Sequence, residues 1–156
     1  MLKKFSLGAW MACVAAVLTI ASLIVYTVNV NGAGYFKNAT VTNLTTFCIL
    51  AAVALVCAIV LSLVKLEGPV GMVLDLVSGA LQIIAPVLLA LCLINLIAAR
   101  AEGLGFIYFS NADVLLEVQT PANLSSATGA IASMVCLGIS TLVGIVAAFF
   151  NVRKSA

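Results

Sequence analysis

Four long stretches of the sequence contain no charged residue: Phe5 to Phe36, Asn38 to Val64, Leu76 to Ala99, and Val118 to Val152. Each is long enough for an apolar helix to cross a bilayer, which takes about 20 residues. The few charges fall almost entirely between these stretches. That pattern specifies a polytopic membrane protein with four helical spans.

Composition points the same way. The chain is 65% hydrophobic and 8% charged over 156 residues, against about 25% charged in ordinary soluble domains. It lacks the polar groups to cover a water-facing surface, so lipid is its expected solvent. One four-helix unit uses up the length, and a single membrane domain is expected over 1–156. The spans predicted are about 7–28, 44–64, 71–98 and 127–150, with outer loops at about 29–43 and 99–126. The basic start, Lys3-Lys4 before an apolar run, resembles a signal peptide. The run continues to about Val28 without a good small-x-small cleavage site, so an uncleaved first span is expected.

Basic residues set the orientation. With the first residue inside, the inner side carries Lys3, Lys4, Lys65, Arg153 and Lys154, and the outer side carries Lys37 and Arg100. Both termini are then cytoplasmic. Gly68-Pro69 stops one helix and starts the next, making spans two and three antiparallel neighbours. The outer loops carry β-branched and aromatic residues around polar turns. Asn31-Gly32 lies between one pair of such runs, and Ser110-Asn111-Ala112-Asp113 between Phe106–Phe109 and Val114–Val118. Each reads as a hairpin. Lone hairpins are marginal in water, so the two are expected to pair into a small β-sheet cap. The fold class expected is therefore an all-α membrane protein, a four-transmembrane-helix bundle with a β cap.

Candidate functional residues are few. The chain has no histidine, which removes the commonest metal ligand and general base. Cys13, Cys48, Cys57, Cys92 and Cys136 all sit in apolar stretches without a C-x-x-C pair, and read as small hydrophobes. No catalytic residue, metal site or cofactor is implied, and no basic block suggests nucleic acid. Asp75 adjoins an apolar stretch, and Ser78 and Gln82 share its helix face. Ionisable groups in a bilayer are costly, so this trio is the candidate ligand or ion face. Span three has residues to spare, and the simpler reading places Asp75 at the inner interface near Lys65, Arg153 or Lys154.

Span four repeats a small residue every fourth position: Ala132, Cys136, Ser140, Gly144 and Ala148. Small-xxx-small stripes let helix backbones approach closely in lipid, and a packing seam within the bundle is expected. Ala9, Ala12, Cys13 and Ala16 on span one, and Ala54, Cys57, Ala58 and Ser62 on span two, offer matching faces. Three sequons occur, at Asn38, Asn43 and Asn123. Ser/Thr-rich loops produce such triplets by chance.

The layout of four spans, two structured outer loops and inner termini resembles the claudin-type tetraspan plan. The claudin tryptophan motif and cysteine pair are absent from the first loop, and the one tryptophan is Trp10 in span one. Gly34-Tyr35-Phe36 after span one and Arg100-Ala-Glu-Gly-Leu after span three also resemble uncharacterised small four-pass membrane proteins of Gram-positive bacteria. That resemblance implies a bacterial cytoplasmic membrane and no particular activity. Two functions remain in view. One is a non-enzymatic scaffold or accessory subunit that meets a membrane-protein partner through its outer loops. The other is a homo-oligomeric transporter or channel subunit using the Asp75 face.

Overall fold

The computed structural model describes residues 6–64 and 68–150, except the side chain of Ser62. Lys3, Lys4, Lys65, Arg153 and Lys154, the basic residues assigned to the inner side, lie outside these. The described residues form five helices: α1 (Leu7–Asn31), α2 (Leu44–Leu63), α3 (Pro69–Phe109), α4 (Ala112–Val118) and α5 (Pro121–Ala148). All but α4 are long and apolar enough to cross a membrane. Val17, Ile83, Ile94 and Leu142 are more than half exposed on their outer faces. A water-soluble monomer rarely shows so wide an apolar surface, and a membrane-type bundle requires it.

The long helices form a ring, α1 beside α2, α2 beside α3, α3 beside α5, and α5 closing on α1. Buried positions explain the packing. On α1 they include Gly8, Ala12, Ala15, Thr19, Ser22 and Tyr26, and on α2 Leu44, Cys48, Ala51, Leu55 and Ala58. On α3 they include Ser78, Gln82, Ala85, Leu89, Cys92 and Leu96. The steps alternate four and three, a mean of about 3.5, which is the knobs-into-holes repeat of left-handed bundles.

This repeat corrects the stripe on span four. A step of four residues turns about 400°, so a strict every-fourth row drifts by about 40° each time. The buried row on α5 is Ser126, Ala130, Ser133, Leu137, Ser140, Gly144 and Ala147. Ser140 and Gly144 belong to it. Ala132, Cys136 and Ala148 flank it, half-buried. On α2 the alternation likewise leaves Cys57 exposed, outside the small face expected for it.

The α1–α5 seam is the tightest. A Cβ on Gly8 would lie 2.7 Å from the Phe150 carbonyl oxygen, so only glycine allows this approach. Further along, hydroxyls bridge the helices. Thr19 Oγ1, Ser140 Oγ and the Ala15 carbonyl oxygen form a triangle with 2.8 Å sides. Both hydroxyls are placed to donate to the Ala15 carbonyl, whose two lone pairs can accept them. Ser22 Oγ donates to the Ser133 carbonyl at 2.9 Å, and Ser133 Oγ lies 3.2 Å from the Ser22 carbonyl. Against α3, Gly144 faces Pro86, whose Cβ would be 3.3 Å from an added methyl group.

Length differences create the second part of the molecule. α3 has 41 residues, about 61 Å at 1.5 Å per residue, about twice a ~30 Å hydrocarbon core. α2 has 20. Cys92 Sγ lies 3.6 Å from the Leu44 carbonyl oxygen at the start of α2. α3 therefore runs on well past α2, and α4, the start of α5 and the loop 32–43 pack around that projection.

The expected β cap is not present: the described residues hold no strand, and the cap is helical. Asn31 ends α1, and Gly32 is its C-cap. Phe106–Phe109 is the last turn of α3. Asn111 Oδ1 accepts from the Val114 N–H and caps α4. Thr120 Oγ1 accepts from the Asn123 N–H and caps α5, with Pro121 at its first position. Short polar side chains serve turns and helix N-caps by the same side-chain-to-backbone bond. The polar residues read as hairpin turns are helix boundaries.

Candidate functional site

The cap is built around Phe36. The loop that carries it has two non-glycine residues in the left-handed region, Asn38 (φ 59°) and Asn43 (φ 61°), and Gly34 at φ 122°. Asparagine tolerates this conformation better than other side chains. Gly34 also lies against α5, where a Cβ would meet the Ala122 carbonyl oxygen at 2.5 Å. The loop backbone is pinned at both ends. Phe36 N–H donates to Ser126 Oγ at 3.1 Å, and Val41 N–H donates to the Tyr26 hydroxyl at 2.7 Å.

Between those pins lies Arg100. It is only 3% exposed. Its guanidinium donates to the Ala39 carbonyl and sits 4.5 Å from the centroid of the Phe36 ring. A buried charge is costly unless paired or hydrogen-bonded. Here a carbonyl and an aromatic face supply the compensation, a desolvated cation–π contact contributing about 2 kcal/mol. Phe36 is buried with Ile107, Ala127 and Ala130 in a small core of its own, apart from the bundle core. Gly103 makes the room, since a Cβ there would lie 2.6 Å from the Tyr35 ring and 2.7 Å from the Phe36 ring.

Above this buried layer the cap is apolar and open. The Tyr35 and Phe106 rings meet at a tilt of 38° with centroids 5.9 Å apart, each less than half exposed. Phe109 and Leu116 are both 86% exposed. Lys37, Glu102, Asp113 and Glu117 are exposed on the same end of the molecule. No protein-family model, curated protein sequence or solved structure matches the chain. The site is therefore read from its own geometry.

The sequence-chosen trio divides. Ser78 and Gln82 are buried, and the Gln82 amide donates to the Ser78 hydroxyl at 3.3 Å. Asp75, one turn nearer the start of α3, is exposed. Pro86 follows Gln82 by one turn and takes away the N–H that would have bonded the Gln82 carbonyl.

Two features escaped the sequence reading. Arg100 looked like an outer-loop charge but is the centre of the cap, and the aromatics six to nine residues on from it belong to the same helix. Cys48 and Cys92 lie on neighbouring helices with their sulfurs 3.4 Å apart, both buried as free thiols. No spacing signal connects residues so far apart in sequence. Among the sequons, Asn123 is half-buried, and its amide donates to the Val118 carbonyl.

Proposed function

We propose that this chain is a non-enzymatic multi-pass membrane protein acting as a scaffold or accessory subunit. Its termini lie in the cytoplasm, and its cap lies on the far side of a bacterial cytoplasmic membrane. The excess of basic residues in the sequence around the first residue, the span two–three turn and the end of span four supports that orientation. The observation that carries the reading is the exposed aromatic and aliphatic surface of Tyr35, Phe106, Phe109 and Leu116 on a cap that Arg100 and Phe36 hold in place. Aromatic side chains are enriched in protein interfaces, and rigid apolar surface beyond the lipid is an interaction surface rather than a lipid-facing one. The partner is another membrane protein's extracytoplasmic segment.

Co-purification from native membranes in mild detergent tests this. A discrete partner should be recovered with the native chain and lost with Phe109→Ser combined with Leu116→Asp. Recovery of the native chain alone would count against the reading.

A second reading is a homo-oligomeric transporter or channel subunit. It is favoured by one observation, the buried amide of Gln82 beside Ser78 in a span whose other buried residues are mostly apolar. Intramembrane polar groups of this kind commonly mark solute paths. Assembly would be needed, since one such bundle leaves little room for water. If Asp75→Asn and Gln82→Leu leave cation- or proton-coupled flux in liposomes unchanged, that reading fails.

A further inference from the structure

Of the five cysteines only Cys48 and Cys92 are buried, and they meet. Their sulfurs are 3.4 Å apart across the α2–α3 seam. Cys92 Sγ also lies 3.6 Å from the Leu44 carbonyl oxygen, against the backbone of the first turn of α2, so the two helices approach closely here. Both residues are 0% exposed. Other small positions in the same core are filled by alanine, Ala51, Ala54 and Ala85 among them. Two thiols placed against each other in such a core carry chemistry that alanine would not.

The geometry fits a covalent bond. A disulfide is about 2.05 Å long, so the sulfurs need to close by about 1.4 Å. Each sulfur swings on an arc about its own Cα–Cβ bond, and half of that displacement apiece is a modest turn of χ1. The level in the membrane fits as well. α2 has 20 residues, about 30 Å, which matches the thickness of a hydrocarbon core. Its first residue therefore stands at the membrane boundary on the cap side, and Cys48 lies about 6 Å below it.

We propose that Cys48 and Cys92 are joined by a disulfide, formed by exchange with a disulfide donor on the cap side before α2 and α3 dock. This rests on the orientation given above, with the cap outside the cytoplasm, where disulfides persist. One cysteine thiolate attacks a donor sulfur, forming a mixed disulfide and expelling one donor thiolate. The second attacks the cysteine sulfur of that mixed disulfide, forming the Cys48–Cys92 bond and expelling the other donor thiolate. The two protons lost by the cysteines end on the donor sulfurs. The cysteines are oxidised by two electrons, and the donor is reduced by two. Docking then buries the bond away from reducing thiols, which must reach a sulfur to attack it. The structure shows the dithiol form of this couple.

The bond closes residues 48–92 into a loop. It ties the start of α2, which receives the loop 32–43, to the helix that carries Arg100 eight residues beyond Cys92. The cap is then fastened at its foot as well as at Phe36 and Val41.

The test reads the native chain directly. Cells making it are quenched in acid, and the protein is dissolved in SDS with N-ethylmaleimide to block every free thiol. Reduction and iodoacetamide then mark the cysteines that had been oxidised. Cys48 and Cys92 should carry iodoacetamide in most molecules, and Cys13, Cys57 and Cys136 should carry maleimide. An unreduced digest should contain a peptide pair linking Cys48 to Cys92, two hydrogens lighter than the sum of its parts. Maleimide on Cys48 and Cys92 would overturn the proposal, as would a linked pair joining either one to a different cysteine. Labelling of the exposed Lys37 by an impermeant amine reagent on intact spheroplasts reads the orientation separately. Lys37 labelled with both cysteines on maleimide sinks the disulfide and leaves the orientation standing. Lys37 unlabelled with the linked pair present sinks the orientation and leaves the disulfide standing.

Discussion

Gly144→Leu should destabilise the bundle strongly, and the size of the effect follows from what faces it. A first side-chain carbon at Gly144 would sit 3.3 Å from Pro86 Cβ and 3.9 Å from its Cα. Alanine can be accommodated by a shift of a few tenths of an ångström. Its gain in helix propensity, about 0.8–1.0 kcal/mol over glycine, offsets much of that strain, so Gly144→Ala should be near neutral. Leucine adds three further carbons toward a rigid pyrrolidine ring on a helix that cannot rotate away. Overpacking of this kind costs about 1–3 kcal/mol. No hydrophobic gain compensates, because lipid tails are as apolar as leucine. At about 2–4 °C per kcal/mol for a chain of this length, thermal aggregation of Gly144→Leu in detergent should fall by several degrees. Leu142→Phe, at a position 64% exposed, should shift it little. If Gly144→Leu and Leu142→Phe behave alike, the α3–α5 contact is wrong. If Gly144→Leu leaves the monomer stable but changes oligomer size, the seam is between molecules.

Other outcomes follow from the same geometry. Ser140→Ala should cost only about 0.6 kcal/mol and at most about 1.7, the range for interhelical hydrogen bonds in membranes, because Thr19 can still donate to the Ala15 carbonyl; equilibrium unfolding by steric trapping reads the difference. Phe36→Ala removes a buried ring, a change that costs about 3–5 kcal/mol in packed cores. It should raise hydrogen exchange across residues 32–43 while leaving the lower halves of α1 and α5 protected, since the cap core is separate from the bundle core. Tyr35→Ala, at a more exposed ring, should change exchange far less.

The spans were legible because lipid imposes a simple rule. An uncharged run of more than 20 residues has few folds open to it, and α1, α2 and α5 fall close to the runs that predicted them. The cap was misread for a reason internal to the chemistry. Val114 and the aromatics of 106–109 favour strands on average, but strand preference depends strongly on context. Here the α3 helix simply continues out of the apolar stretch. Asn111 then bonds the Val114 N–H as a helix cap, the same interaction that would have made a turn. Arg100 was out of reach for another reason. Its partners, Ala39 and the Phe36 ring, are more than 60 residues away in sequence, and only the folded loop brings them over it. The every-fourth stripe on α5 held two residues of the true seam. A local pattern of four cannot reveal the alternation of four and three that emerges when four helices supercoil.

The central claim is that a rigid helical cap presents Phe109 to a protein partner outside the bilayer. A photoreactive amino acid placed at Phe109 in living cells tests it most directly, with the same residue at lipid-facing Val53 as reference. The account predicts a discrete cross-linked species at Phe109, containing a different membrane protein, and none at Val53. Absence of any adduct at Phe109, or adducts only with a second copy of this chain, would contradict it.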